Sequence, residues 1–436
     1  MQEGVKMKQF KLLVSLMVLF FATNMFAQTW TAQTNPVSGV DVNSAWAVDT
    51  VTCWMCGAST SQTLGYVIRT TNAGTTWTNV TGDMPVSAAG LYSICGISAT
   101  EAWAGVNDGS VYHTTNSGTH WTFVSMPSPV TAFVDVIHFY NQNTGFIIGD
   151  PATTTWCYYW TTNAGVNWTA AGPTFTGSEA GWNNSYFTSD TGHIWFGTNN
   201  TKIYHGGLRS TFTSAASTGL NSYGMAVPNN INGVAVMTST TPAVLANNIT
   251  TNGGTSWSAG YLPAGIQFGI KAVPGFPYVW TCGAGTTGGV ILFSSNNGVN
   301  WTQQFTTTAA GYGMTFATVN RGWVGCSGGT IYRYTGILSE VNNNNTSVPV
   351  SYKLEQNFPN PFNPTTTINY SIPKTSFVTL KVYNVLGNEV MSVVNEQQTA
   401  NNYTYTLDFS KLSSGAYYYT LRAGDYSATK KLMLVK

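Results

Sequence analysis

The carboxyl groups of this 436-residue sequence are its main candidates for catalysis, because cleavage of a glycosidic bond needs two of them across the scissile bond. Aspartate and glutamate together number only 16, and charged residues make up 8% of the chain. Asp108 and Asp150 are the best catalytic pair, since each follows a short predicted strand at a comparable position. The alternative, which we favour, is that these aspartates only form the loops in which they lie.

The cysteines and histidines indicate no metal or cofactor site. The segment Cys53–Cys56 is a CxxC motif, but it lacks the βαβ context of a redox centre and the second pair of a zinc site. It predicts either a local disulfide or two inert thiols. The five histidines show no metal-ligand spacing, and the GxGxxG match at Gly283–Gly288 precedes a strand rather than a helix. We therefore expect neither a metal nor a cofactor.

The composition favours exposed β-structure. Hydrophobic residues make up 43% of the chain and aromatic residues 14%, so the polar surface consists mostly of uncharged Thr, Asn, Ser and Gly. Residues that are β-branched or aromatic suit a pleated surface. The formal net charge is +1 and no basic stripe occurs, so nucleic acid is not an expected partner.

Residues 1–27 have the pattern of a cleaved secretory signal. Lys6, Lys8 and Lys11 precede the apolar stretch Leu12–Phe21, and Ala27 offers a small residue at the expected cleavage point. The stretch is too short for a membrane span, and no later window of 18 apolar residues follows. This pattern predicts export out of the cytoplasm into the periplasm.

An eight-residue motif of the form (Thr/Ser)-(Thr/Ser)-Asn-x-Gly-x-x-Trp, here called the Asn box, recurs five times. The copies are Thr70–Trp77, Thr114–Trp121, Thr161–Trp168, Thr250–Trp257 and Ser294–Trp301. Their tryptophans are 44 to 47 residues apart except for one interval of 89, in which Phe212 marks a degenerate copy. A period near 45 with about four short strands per repeat is typical of a β-propeller blade.

A second motif, a turn followed by an aromatic or branched residue in a short strand, alternates with the Asn boxes. It occurs at Ala45–Val48, Ala102–Gly105, Gly145–Ile148, Ile194–Gly197, Gly233–Val236, Val279–Cys282 and Gly322–Gly325. Seven copies predict a seven-bladed propeller in an all-β chain. The last repeat lacks the outer strand that follows an Asn box in the other repeats. We expect the N-terminal strand Thr29–Ala32, whose spacing from the first box fits the repeat period, to take its place and close the ring.

The Asn boxes resemble the Asp boxes, or BNR repeats, of sialidases. The repeats also resemble the propellers of photosystem II assembly factors and of secreted bacterial surface proteins. Asparagine stands where the named motif has aspartate, and either residue can make the turn. The resemblance implies structural turns away from the ligand face. Sialidase activity is not expected, because residues 28–336 hold four arginines, too few in suitable places for an arginine triad.

We expect a ligand on the propeller face opposite the boxes, where the loops after the second strands and the connections between blades lie. Exposed tryptophans in these loops would stack on sugar rings, although burial between blades is the alternative for each of them. The longest such loop, between the first two copies of the second motif 57 residues apart, would carry the CxxC motif. The expected ligand-binding residues are Trp54, Trp156, Trp182, Asp49 and Glu179.

The composition changes after residue 336. Residues 337–350, with four consecutive asparagines, predict a linker. Residues 351–436 begin with the Pro/Asn run Gln356–Pro364, followed by short alternating strands at Thr366–Ser371, Val378–Tyr383, Glu389–Val394, Tyr403–Phe409, Ala416–Arg422 and Ala428–Val435. Strands of this number and spacing predict a small Ig-like β-sandwich.

Four segments of this module resemble the type A sorting domain of type IX secretion in Bacteroidetes: Gln356–Pro364, Val382–Gly387, Leu412–Tyr419 and Lys430–Lys436. The resemblance implies a second export step, across the outer membrane, and makes the type IX machinery a partner. The residues expected to carry the sorting signal are Lys430, Lys431, Leu432, Val435 and Lys436.

The sequence thus predicts a signal peptide (1–27), a propeller (28–336), a linker (337–350) and a sorting domain (351–436). We expect a secreted or surface propeller that binds a glycan or a surface protein without catalysis. The rival hypothesis is a polysaccharide-cleaving enzyme that uses Asp108 and Asp150.

Overall fold

The computed structural model describes residues 29–61, 63–85, 89–238, 245–261, 265–273, 276–336 and 351–435. The predicted signal peptide, the predicted linker and Lys436 lie outside the described residues. The chain divides into two compact units between residues 339 and 340. The regular structure of the described residues is almost entirely β-strand, with one short 3-10 helix at Ser327–Gly329. None of it is a helix long and apolar enough to cross a membrane.

Seven four-stranded antiparallel sheets form the first unit, and each is one blade of a β-propeller. The first described strand, β1 (Thr29–Gln33), does not belong to the first blade. Blades one to three contain β2 (Val40–Ala47), β3 (Cys53–Ser59), β4 (Gly65–Thr70), β5 (Thr78–Asn79), β6 (Leu91–Gly96), β7 (Ala102–Val106), β8 (Val111–Thr114), β9 (Thr122–Val124), β10 (Val134–Phe139), β11 (Gly145–Ala152), β12 (Thr155–Thr161) and β13 (Thr169–Ala170).

The next three blades also follow chain order. They contain β14 (Tyr186–Asp190), β15 (His193–Gly197), β16 (Lys202–Gly206), β17 (Thr213–Ala216), β18 (Asn221–Ala226), β19 (Gly233–Thr238), β20 (Leu245–Thr250), β21 (Ser258–Gly260), β22 (Gln267–Ala272), β23 (Val279–Ala284), β24 (Gly289–Ser294) and β25 (Thr302–Thr307). The first strand of each blade lies innermost, around a central channel. The predicted all-β propeller with seven blades is confirmed.

The seventh blade joins the two ends of the propeller. It consists of β26 (Gly311–Thr318), β27 (Arg321–Cys326), β28 (Ile331–Thr335) and, as its outermost strand, β1. Trp30 of β1 lies opposite Tyr334 and its buried ring contacts those of Trp280, Phe316 and Tyr334, with centroids 5.1 to 6.2 Å away. The prediction that the N-terminal strand closes the ring is confirmed.

The Asn boxes are the turns between the third and fourth strands of five blades. In the first box, Thr76 N and Thr70 Oγ1 donate to Asn72 Oδ1 at 2.9 and 3.0 Å, and Gly74 N donates to Thr70 Oγ1 at 2.8 Å. The other four boxes repeat these three hydrogen bonds. The asparagines therefore shape the turn, as a structural role requires.

Box glycines also fix one blade to the next. A Cβ on Gly165 would lie 2.3 Å from the Trp103 ring in the preceding blade, and one on Gly254 would lie 2.6 Å from Trp195 Nε1. Any larger residue would push the blades apart, so the box glycine serves close packing as well as its positive φ.

The first blade is displaced by one strand from the predicted phase. Trp46 lies on the inner strand β2, and the residue equivalent to Trp103 is Trp54 on the second strand, β3. The prediction that a long loop carries Trp54 and the CxxC motif is therefore wrong, because both lie on strand β3. Asp49, expected on the face opposite the boxes, lies in the turn between β2 and β3, on the box face.

All six cysteines lie among the described residues, and all are free and buried. Cys53 and Cys56 are three residues apart on one strand, so they face opposite sides of the sheet and pack in different clusters. Burial raises the pKa of both thiols well above the usual range. Of the two alternatives for the CxxC motif, the structure has the inert thiols.

The second unit is a small β-sandwich. One sheet has the order β29-β30-β33 and the other β32-β31-β34-β35. The strands are β29 (Lys353–Leu354), β30 (Thr365–Ile372), β31 (Ser376–Asn384), β32 (Glu389–Gln398), β33 (Asn401–Asp408), β34 (Gly415–Ala423) and β35 (Tyr426–Leu434). Alternate residues of these strands, such as Ile368, Leu380 and Tyr419, fill one core.

The Pro/Asn run covers the outer edge of the last strand. Gln356 Nε2 donates to Lys431 O at 2.7 Å, Met433 N donates to Asn360 Oδ1 at 2.8 Å, and Val435 N donates to Phe362 O at 2.9 Å. These bonds occupy backbone groups that an edge strand would otherwise offer to another chain.

We predict that Trp30→Ala destabilises the protein by about 3–5 kcal/mol, because it removes a buried aromatic side chain from the contact that closes the ring. Chemical denaturation of the full chain, followed by tryptophan fluorescence, measures the change. Trp30→Phe is the matched control, and its free energy of unfolding should fall much less than that of Trp30→Ala. Equal stability of Trp30→Ala and wild type would show that β1 does not hold the ring.

Candidate ligand-binding site

Six of the seven inner strands carry a β-bulge near their beginning. At each one the register of pairing with the second strand skips a residue, and the skipped residues are Asn43, Tyr92, Asp135, Tyr223, Phe268 and Tyr312. A bulge leaves its extra residue unpaired and redirects the side chain. Because the inner strands begin at the face opposite the boxes, these six residues lie around the mouth of the channel on that face.

Six partly exposed aromatic residues surround this mouth, and we call them the aromatic rim: Tyr92, Phe133, Trp182, Tyr223, Phe268 and Tyr312. Four of them form an edge-to-face chain across neighbouring blades, with centroid distances of 4.6 Å (Trp182 to Tyr223), 5.5 Å (Tyr223 to Phe268) and 5.2 Å (Phe268 to Tyr312). Tyr92 and Phe133 form a further pair at 4.9 Å. Edge-to-face contacts hold the rings in fixed orientations.

Trp182 is held at the mouth by the connection between blades three and four. Gly181 N donates to Asp150 Oδ1 at 2.7 Å, and Asn184 N donates to Asp135 O at 3.0 Å. The Asn184 side chain reaches across the channel, where Nδ2 donates to Tyr92 O at 3.0 Å. Asn184 has a left-handed φ of 58°, which asparagine tolerates better than most residues. The connection thus positions Trp182 from both sides.

Trp156 and Glu179, two of the expected ligand-binding residues, contact each other in the interior. Trp156 is 1% exposed and its Nε1 donates to Glu179 Oε2 at 2.9 Å. The same carboxylate accepts a hydrogen bond from Tyr204 and pairs with Lys202 Nζ at 2.5 Å. Both residues therefore anchor the connection that carries Trp182, and neither faces a ligand.

Trp54 and Asp49 do not reach the mouth either. Trp54 is fully buried, and its Nε1 donates to Ser98 O at 2.8 Å. Asp49 Oδ1 accepts hydrogen bonds from Val51 N and Thr52 N, which closes its turn on the box face. Of the five expected residues, only Trp182 lies at the mouth.

The rim residues that sequence reasoning missed have a signal of their own. Tyr223, Phe268 and Tyr312 each precede a glycine, at intervals of 45 and 44 residues. The glycines are needed because the next inner strand comes very close: a Cβ on Gly269 would lie 2.5 Å from Tyr312 O. An aromatic-glycine pair therefore marks the bulge in three consecutive blades.

The structure does not bring the proposed catalytic pair together. Asp108 Oδ1 accepts a hydrogen bond from Ser110 N within its own turn, whereas Asp150 holds Gly181, and no contact joins the two among the described residues. The carboxyl group that interacts with Asp150 is Asp135. The expectation of an Asp108–Asp150 pair has no support in this geometry.

Asp135 and Asp150 form an acidic pair under the rim. Asp135 is 3% exposed, and its Oδ2 has no hydrogen-bond partner among the described residues. Burial, with the charge of Asp150 as a second cause, raises the pKa of Asp135 well above its usual range, and burial also raises the pKa of Asp150. A Cβ on Gly181 would lie 2.4 Å from Asp135 Oδ2, so the backbone covers this carboxyl group and keeps a substrate away.

The channel below the mouth is nearly filled. Its cavity of about 20 Å³ has room for about one water molecule. Among its lining residues, Lys271 places its Nζ 4.9 Å from the centre of the Tyr186 ring, and burial lowers the pKa of Lys271 to about 8. A ligand would therefore lie over the rim and not inside the channel. In the described parts of the chain, no group of three or more His, Cys, Asp or Glu residues is placed to hold a metal ion.

Of the five expected sorting residues, Lys430, Lys431 and Leu432 lie in β35 of the sandwich and Val435 directly follows that strand, whereas Lys436 lies outside the described residues. Lys431 and Val435 are exposed and Lys430 is partly exposed, so their side chains are open to a partner. Leu432 is fully buried in the sandwich core, where it stabilises the strand that presents the others.

Comparison with known proteins agrees with this architecture. Residues 356–436 match the family described as "Secretion system C-terminal sorting domain". The match supports export by type IX secretion, to the cell surface or beyond it. No curated protein matches the chain in sequence.

The propeller is similar to several solved structures. YCF48 bound to D1 peptide has a TM-score of 0.54 at 17% identity, over 70% of this chain and 96% of that one. YCF48 from Cyanidioschyzon merolae has a TM-score of 0.53 at 17% identity, over 70% and 98%. The WD40 propeller domain of Doa1 has a TM-score of 0.52 at 13% identity, over 71% and 97%. At such identities the likeness shows the fold alone.

We predict that Asp135→Asn makes the protein less sensitive to rising pH. Asp135 folds in its neutral form, so its contribution to stability is complete below the unfolded pKa of about 4 and is lost as the pH rises towards the raised folded pKa. The difference in Tm between Asp135→Asn and wild type should therefore shift in favour of the variant from pH 4 to pH 8.

Differential scanning calorimetry across this range measures the effect. Asp135→Ala is the companion variant: it also lacks the ionisable group, but it leaves a cavity and should be less stable at every pH. Parallel Tm curves for wild type and Asp135→Asn would contradict a neutral buried Asp135.

Proposed function

We propose that this chain is an exported, non-catalytic binding protein whose propeller takes neutral carbohydrate at the aromatic rim. The observation that carries the proposal is the arrangement of six partly exposed aromatic side chains around one mouth, four of them at positions set by repeated bulges. Sugar rings have apolar C–H faces that stack on aromatic rings, so a ring of fixed aromatic side chains suits several sugar units. The sorting domain would deliver this surface to the outside of the cell.

The polarity of the mouth favours a neutral ligand. The rim contains no charged side chain, and Asp135, the acidic member of the bulge series, is buried and favours its neutral form. The hydroxyl groups of Tyr223 and Tyr312 make no hydrogen bond to other described residues, so they are open to sugar hydroxyl groups. A few polar groups among apolar walls is the usual composition of a ligand site.

The geometry gives the rival hypothesis, a glycoside hydrolase, less support. Two carboxyl groups must face each other across an accessible gap of roughly 5–10 Å in such enzymes. Here Asp108 closes its own turn, Asp150 binds Gly181, and Asp135 is covered by backbone. We therefore propose binding without cleavage.

We predict that Trp182→Ala lowers affinity for the bound polysaccharide about tenfold or more, since a stacked aromatic face contributes on the order of 1.4 kcal/mol. Affinity electrophoresis and calorimetry of the purified chain on a panel of neutral and charged polysaccharides provide the measurement. The same samples are assayed for new reducing ends. The double variant Trp182→Ala/Tyr223→Ala should lose retention altogether.

Phe123→Ala is the control, because Phe123 is a 58% exposed aromatic residue on the outer strand β9, remote from the mouth. Retention that survives in the double variant would place the site elsewhere. New reducing ends would favour the enzyme, and capture of peptides with no polysaccharide retained would replace carbohydrate by a peptide ligand.

A further inference from the structure

The hairpin turn between β31 and β32 is shaped by the side chain of Asn384 and by the backbone of Gly387. Asn384 Oδ1 accepts hydrogen bonds from Leu386 N and Asn388 N, both at 3.0 Å, and Asn384 O accepts one from Gly387 N at 3.0 Å. Gly387 supplies the left-handed φ of 81°. The side chains of Val385 and Leu386 take no part in these bonds, so the geometry of the turn does not depend on them.

These two side chains are large, apolar and exposed. Val385 is 67% exposed and Leu386 is 81% exposed, the highest value for a large hydrophobic residue in the described parts of the chain. Polar residues are usual at such turn positions and would satisfy the turn equally well. Two adjacent apolar side chains at the tip of a turn do not stabilise the folded chain, because they remain in contact with water. They gain free energy from burial only when another molecule covers them.

The register of the sheet places this turn beside the end of the sorting strand. Asn384 lies opposite Tyr417, and Tyr417 lies opposite Leu432, so the turn and the exposed Val435 project from the same end of the sheet. β31 and β35 are separated by one strand, β34, which corresponds to about 10 Å. One partner surface can therefore contact both.

The surroundings favour an apolar contact over a charged one. The nearest ion pair on this hairpin, Lys381 with Glu389 at 2.8 Å, bridges the two strands next to the turn and is neutral as a pair. The outer edge of β35 near the turn is occupied by the Pro/Asn run. Because those backbone groups are in use, a partner must recognise side chains here and cannot simply add a strand.

We propose that Val385 and Leu386 form an apolar knob that inserts into an apolar cleft of the export machinery when the sorting domain is recognised. The partner is a protein of that machinery, because this surface belongs to the domain that matches the secretion sorting family. The knob works together with the exposed end of β35 and is independent of the propeller's ligand.

The test follows export of the full chain in a bacterium with type IX secretion. The double variant Val385→Ser/Leu386→Ser should reduce the amount in the medium and on the surface about tenfold, the order expected for loss of an apolar anchor, with accumulation in the periplasm. Its Tm should equal that of wild type, since both side chains are exposed. Polysaccharide binding by the purified variant should not change, which separates this test from that of the rim.

Two controls distinguish an apolar contact from other effects. Val166→Ser/Val299→Ser removes two exposed valines from Asn boxes of the propeller and should be exported as wild type. Leu386→Met keeps an apolar knob and should restore most of the export. Normal export of the double serine variant, or a loss with Leu386→Met as large as with serine, would overturn the proposal.

Discussion

The close approach of the inner strands around the channel is the constraint on which the rest of the propeller depends. A Cβ on Gly269 would lie 2.5 Å from Tyr312 O, and one on Gly313 would lie 2.9 Å from the backbone of Ser44. Such spacing leaves no room for larger side chains inside the channel, and the bulge one residue earlier turns the aromatic side chain towards the mouth. The close approach of the inner strands is therefore accompanied by the bulges that carry four of the six rim residues.

The two faces of the propeller have different roles. On the box face, hydrogen bonds within each turn and glycine contacts with the preceding blade fix the blades to one another. On the opposite face, the buried carboxylate of Glu179 and the side chain of Asn184 hold a single connection over the channel.

Local chemistry made the propeller predictable from sequence. The Asn box needs a hydroxyl residue, an asparagine and a glycine at fixed offsets, so its period marks the repeat and the place of the closing strand, while the seven copies of the second motif give the number of blades. By contrast, the burial of a side chain and the position of its strand within a blade depend on residues distant in the sequence. Trp46 and Trp54 lie eight residues apart in two short strands. Because the repeat varies in length, its period does not show which of the two tryptophans is on the second strand of the first blade. The bulges depend on pairing between strands, so the aromatic-glycine pairs in the sequence do not by themselves locate the rim.

Because the first strand of the propeller pairs with the last, the ring can close only after the whole propeller sequence has been synthesised. The pairing of Trp30 with Tyr334 joins residues about 300 positions apart, at the two ends of the propeller. The entropic cost of closing so long a loop rises only slowly with its length, but contacts this distant form late. Until residues 331–335 have been synthesised, every shorter chain keeps an open ring with unpaired strand edges. The propeller therefore cannot acquire its finished surface before the segment that precedes the sorting domain has been made.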